Sequence, residues 1–230
     1  MAPNTSVEIC YLCGKPIDSL RSGDHVPPKQ LFAKEIRKSH SLDLLKIPTH
    51  SNCNRSYQLD EEYFIHTFVP FAMNTASGRA LLNQIVSQYH NGRNVPLNQK
   101  VLKEFARKPS GLILPRNKVV KRFDGERVWR VVWKITRGLF FRDNNGRVLP
   151  ENTPRLFKII DIGEAPPPPE FQLLVNKEER GRYPGIFAYK SMTLEKMPNF
   201  HFWAMLFWDS VMVLIYFHDP ACQCETCLAT

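Results

Sequence analysis

Cys10-Tyr11-Leu12-Cys13, Gly23-Asp24-His25-Val26-Pro27-Pro28-Lys29 and His50-Ser51-Asn52-Cys53-Asn54 follow one another near the start of the chain, and their reading decides the fold. Two residues between Cys10 and Cys13, and between His50 and Cys53, let a tight turn carry both side chains of a pair to one ion. The pairs together supply three thiolates and one imidazole, enough to close the tetrahedral shell of a structural zinc. A segment of roughly sixty residues has too little core to fold by burial alone. Zinc would add apparent binding energy of roughly 10–16 kcal/mol. A CxxC pair also suits a redox centre, but that alternative needs a βαβ pattern around Cys10, which the sequence lacks. The other alternative is two buried thiols with an ordinary surface histidine.

Outward from these motifs the chain reads as α+β. The prolines bias Gly23 to Pro28 toward extended backbone, and Leu44 to Thr49 is a second short strand. One or two helical turns fit Lys29 to Lys38, and a helix fits Asn52 to Phe64. Ser77 to His90 and Leu97 to Arg107 have amphipathic helical spacing, with a stop at Asn91-Gly92 between them. Glu126 to Arg142 is a longer helix, Pro166 to Pro169 a stiff connector, and the remainder mostly strand. Phe200 to Phe217 is strongly apolar, but His201 and Asp209-Ser210 interrupt it. A central Asp costs about 2.5–3.5 kcal/mol on membrane-insertion scales, so a buried hairpin turning at Asp209-Ser210 fits better than a span. The polar opening residues and only 6 cysteines in 230 residues point to a cytoplasmic protein, with no membrane partner.

Charge divides the chain. Residues 1–66 carry 8 Lys/Arg against 8 Asp/Glu, whereas residues 100–158 carry 16 against 5, within a net charge of +9. This asymmetry suggests a neutral chemical unit at 1–66 and a basic region at 67–230 that captures a polyanion. With 43% apolar and 11% aromatic residues the chain is not a disordered one.

The order CxxC, DHxxP, HxxCN resembles the zinc-bound, treble-clef branch of the HNH, or ββα-metal, endonucleases over about Ile9 to Phe64. The resemblance implies an N-terminal nuclease domain that hydrolyses DNA, or RNA, to 5′-phosphate and 3′-hydroxyl ends. It makes His25 the general base and Asp24 and Asn54 ligands of a catalytic Mg²⁺ or Mn²⁺, beside the structural Zn²⁺ on Cys10, Cys13, His50 and Cys53. Such relatives serve restriction or anti-phage defence in bacteria, so a homodimer or a sensor or ATPase partner is expected. The chemistry suits the residue types: an imidazole can deprotonate water near neutral pH, and a sparse oxygen set leaves a hard cation open to phosphate. Alternatives stand beside these roles. Asn54 could cap the helix it opens, and Asp24 and His25 reach one site only if the strand bends. Gln58 could add a contact. The family's central Asn has no clear counterpart, with His40 and Asp43 as substitutes, and Asp60-Glu61-Glu62 reads as a solvated face.

Arg127, Arg130, Lys134 and Arg137 fall within an arc of about 80° on one helix, a stripe free to track phosphates alongside Lys118, Lys121 and Arg122. Lys29 and Arg55, next to the motifs, are further nucleic-acid contacts, whereas Trp129, Trp133 and Phe140 belong to the core. His218-x3-Cys222-x-Cys224-x2-Cys227 could make a second zinc site of one imidazole and three thiolates. The competing functional reading is a zinc-stabilised nucleic-acid-binding or complex-forming module with a vestigial active site.

Overall fold

A computed structural model describes residues 7–17, 20–39, 43–106, 119–162, 168–194 and 197–228, and within them the chain is mixed α+β. His40, Lys118 and the Pro166-Pro167 part of the connector lie outside the described residues. The first knuckle closes locally: the Gly14 amide donates to the Cys10 carbonyl at 2.8 Å and the Cys10 amide to the Lys15 carbonyl at 2.9 Å. Gly14 takes φ +70°, a left-handed position that glycine occupies without steric cost. β1 (Arg21–His25) then pairs antiparallel with β2 (Lys46–His50), with Gly23 opposite Pro48, and α1 (Lys34–Ser39) lies in the connection. The helix expected after β2 is two helices, α2 (Ser51–Arg55) and α3 (Gln58–Phe68).

α4 (Ala76–His90) starts at Thr75, whose side chain accepts from the Gly78 amide, and α5 (Val95–Lys103) follows. A two-residue pair, β3 (Phe105–Ala106) with β4 (Val120–Lys121), leads into α6 (Gly125–Asp143), capped by the Asp124 side chain on the Arg127 amide. β5 (Arg155–Asp161), β6 (Arg180–Tyr183), β7 (Phe187–Leu194), β8 (Met197–Phe207) and β9 (Val211–His218) form one antiparallel sheet in the order β5-β9-β8-β7-β6. A short α7 (Glu225–Leu228) ends the described chain.

α6 is the spine. Trp133 and Phe140 pack edge-on against Phe217 of the sheet, and Trp129 stacks on Phe157 with ring centroids 4.8 Å apart. Its other side faces the N-terminal segment. The boundary expected after residue 66 falls inside α3, and one apolar cluster runs from Cys10 and Tyr11 through Phe64 and Val132 to Phe217.

The apolar run near the C-terminus is the β8–β9 hairpin. Among the described residues no helix is long and apolar enough to cross a membrane. The turn sits one residue earlier than expected, since Trp208 and Asp209 hold φ +50° and +53°. Two left-handed central residues make the tight turn whose twist matches the strands. A tryptophan there is explained by tertiary contacts: its indole is fully buried, and its Nε1 donates to the Leu31 carbonyl at 2.9 Å.

Candidate functional site

The first metal-ligand quartet assembles as the spacing requires. The ligand atoms of Cys10, Cys13, His50 and Cys53 all lie within 4.8 Å of one another, so the cluster could hold a metal such as zinc. Zn–S and Zn–N bonds of about 2.3 and 2.0 Å give S···N edges of about 3.5 Å in a tetrahedron. The Cys13 and Cys53 sulfurs stand 3.4 and 3.9 Å from His50 Nδ1. A neutral imidazole nitrogen has a single in-plane lone pair, so two sulfurs on one nitrogen are better accounted for by a shared ion than by two hydrogen bonds. His50 Nε2 donates to the Pro16 carbonyl at 3.0 Å, which leaves Nδ1 as the nitrogen that could ligate a metal. Burial pushes the Cys10 thiol up, but hydrogen bonds from Thr49 and from nearby backbone amides outweigh it and bring it to about 6. Cys53 is pushed up to about 12 by burial and by the neighbouring sulfurs, a repulsion that a cation would relieve.

The quartet joins the end of β2 to α2 and so fixes what faces β1. His25 ends β1, Asn54 lies in α2, and both open onto one hollow of about 200 Å³ that Asp24, Lys29, Gln58 and Glu61 also line. The loop after His25 seats directly on α6, because a Cβ on Gly138 would stand 2.7 Å from a Val26 methyl. Only glycine allows that approach. Asn54 Nδ2 donates to Ser22 Oγ at 3.3 Å, and its Oδ1 accepts no hydrogen bond among the described residues. The capping alternative is set aside: the residue flanking α2 is His50, and Asn54 lies in the helix's last turn. The half-buried His25 ring makes no hydrogen bond among the described residues. Burial and the nearby Lys46 and Lys29 ammonium groups hold it below the usual imidazole range, so it is neutral near pH 7. Asp43 is exposed and lines no part of the hollow.

Asp24 reaches the hollow already paired with Lys134. It is 3% exposed, accepts from the Tyr11 hydroxyl, and takes Lys134 Nζ at 2.8 Å. Lys134, 1% exposed, also bonds Glu61. Burial raises the Glu61 carboxyl above the ordinary carboxylate range, and Lys134 opposes the rise.

These contacts correct the expectation of a free basic stripe. Arg127 Nε bonds Asp60 at 2.6 Å, and Arg130 bonds the other Asp60 oxygen. Arg137 is held by Glu151, by the Leu149 carbonyl at 2.8 Å and by the Leu12 carbonyl. Arg127 and Arg130 also lie over the Tyr63 and Tyr57 rings, 4.4 and 4.8 Å from the centroids. The acidic Asp60 and Glu61 are correspondingly buried rather than solvated. The stripe borders the seam between α6 and the N-terminal segment: Lys134 and Arg137 are buried there and need local counter-charges, Arg127 is partly buried, and Arg130 stays exposed while paired with Asp60. Lys121 is spent in the same way on Glu104.

Further exposed basic residues lie outside the stripe. Lys29 and Arg55 are exposed, as their proposed contacts require. Lys29 and Gln30 also line a neighbouring groove of about 430 Å³ that carries Lys34, Arg37 and Arg93 beside Glu62. The Arg37 Nε is buried without a hydrogen-bond partner among the described residues. Lys34 and Arg37 share one face of α1 by their spacing of three, a signal visible in the sequence; Arg93 is brought to them only by the fold. No family model, curated protein or solved structure matches the chain.

Proposed function

We propose that the chain is a metal-dependent endonuclease of HNH type, its knuckle, β1–β2 hairpin and α2 forming a treble-clef ββα-metal unit. The observation that carries this reading is the shared hollow: a neutral imidazole and a carboxamide oxygen, neither hydrogen-bonded among the described residues, and a carboxylate open onto one space beside an exposed lysine. A carboxylate has about four acceptor positions, of which Tyr11 and Lys134 use two on Asp24, so the donor set fits a hard cation. Asn54 and Asp24 would hold Mg²⁺ or Mn²⁺, which when bound supplies charge neutralisation at the phosphate. His25 takes the proton of the attacking water. Lys29, on the rim, pairs with a phosphate oxygen, and Lys134 offsets one of the two charges that Asp24 and Glu61 bring within the protein.

Supercoiled plasmid with Mg²⁺ or Mn²⁺ tests the reading. Nicking that is lost in Asn54→Ala, with the zinc content intact, supports it; no nicking in several divalent ions overturns it. One observation favours the second reading, a zinc-stabilised binding module: the tight hold of Lys134 and Tyr11 on Asp24. Binding of DNA without nicking would select it.

The proposed substrate path runs from the hollow through Lys29 and Gln30 into the groove with Lys34, Arg37 and Arg93. Replacing those last three residues by Ala removes three phosphate contacts and flattens the log–log salt dependence of duplex-DNA binding by about 2.7. Arg130→Ala, whose guanidinium is spent on Asp60, leaves that slope unchanged. A salt dependence unaltered by the triple change sinks the path.

A further inference from the structure

We propose that the tail carries a second structural zinc, held by His218, Cys222, Cys224 and Cys227, which fastens it to the end of the five-stranded sheet. His218 is the last residue of β9, so one ligand stands on rigid sheet while three stand on the tail. The spacing looks too short for four ligands, and the backbone resolves this with two turns. The Cys222 amide donates to the Asp219 carbonyl at 2.8 Å, and the Cys227 amide to the Cys224 carbonyl at 2.9 Å. All four ligand atoms then lie within 4.8 Å of one another.

The geometry at the nitrogen discriminates between explanations. The Cys222 and Cys224 sulfurs stand 3.2 and 3.3 Å from the same His218 Nδ1. One lone pair cannot accept two in-line S–H bonds, whereas both distances sit close to the S···N edge of about 3.5 Å in a zinc tetrahedron. A disulfide would use two of the three thiols and leave the third and the imidazole unexplained. Soft thiolates with an imidazole select zinc over the hard cations proposed for the hollow. Four protein ligands leave no open position, so the ion is structural.

The anchor beneath the site is built independently of any metal. Asp219 is buried, pairs with Arg147, accepts the Ala221 amide at 2.8 Å, and its own amide donates to the Asn199 carbonyl at 2.6 Å. The chain therefore leaves β9 on a fixed path, and ordering the remaining ligands costs less. This inference does not depend on the nuclease reading.

Zinc is counted on the untagged full-length chain, purified under reducing conditions, by plasma mass spectrometry. Two zinc ions per chain are expected. Cys224→Ser and Cys227→Ser each reduce the count to one, Cys13→Ser also to one, and Cys13→Ser with Cys224→Ser to none. Should the variants fold poorly, Co²⁺ titration of the metal-free wild type gives a second readout, in which thiolate-to-cobalt charge-transfer absorbance saturates at two equivalents. One zinc in the wild type, unchanged by Cys224→Ser, overturns the proposal, as does cobalt saturation at one equivalent.

Discussion

His25→Ala lowers the rate of plasmid nicking by roughly 10²- to 10⁴-fold while zinc content and DNA affinity stay at the wild-type level. The expectation follows from what the ring does not do. It makes no hydrogen bond among the described residues, so its removal unties no internal network. It is only half-buried, so the change leaves no sealed cavity in the core. What is lost is a neutral proton acceptor beside the space where phosphate and water would meet. Comparing initial rates of supercoiled-to-nicked conversion at saturating Mn²⁺ gives the ratio. A variant that nicks within a few-fold of wild type places the base elsewhere and ends the assignment of His25.

Lys134→Met destabilises the chain by about 3–5 kcal/mol, the range for removing one partner of a buried ion pair. Its ammonium lies between Asp24 and Glu61, and all three side chains are almost fully buried. The variant keeps the aliphatic volume but leaves two buried carboxylates without the ammonium between them, and the Glu61 carboxyl is already raised by burial. Urea unfolding measures the loss. Adding Glu61→Gln to Lys134→Met recovers part of it, because one of the two stranded charges is gone, and the double-mutant cycle reports the coupling. Mn²⁺ stabilises Lys134→Met more than the wild type, since a divalent ion can settle between the freed carboxylates. A single-variant loss below about 1 kcal/mol shows that the pair is solvated in solution.

The parts of this molecule that were legible in the sequence are those whose cause is local. Ligand spacing announced both cysteine–histidine quartets, because a turn of fixed length either brings two ligands together or does not. The prolines marked Gly23 to Pro28 as extended, which overlaps β1 (Arg21–His25) only over its last three residues, and helical periodicity found α4 and α6. Partners remote in sequence were not legible. The angular stripe on α6 was correctly placed on one face, but a basic face looks the same whether it meets solvent or Asp60, 67 residues away along the chain from Arg127. The hairpin turn slipped by one residue because Trp208 is a poor left-handed residue by local preference, and only the Leu31 carbonyl explains it. The groove with Arg93 required α1 and α4 to be side by side before it could be seen at all.

The seating of Val26 on Gly138 and the grip of Arg137 on the Leu12 carbonyl have a practical consequence. The motif-bearing quarter is not a portable cassette. Excised at residue 66 it would lose the cations that Asp24, Asp60 and Glu61 require and the helix against which its reactive loop is moulded. Inactivating lesions should accordingly scatter along α6, far in sequence from any motif, and grafting the motifs onto another scaffold would have to carry that helix with them.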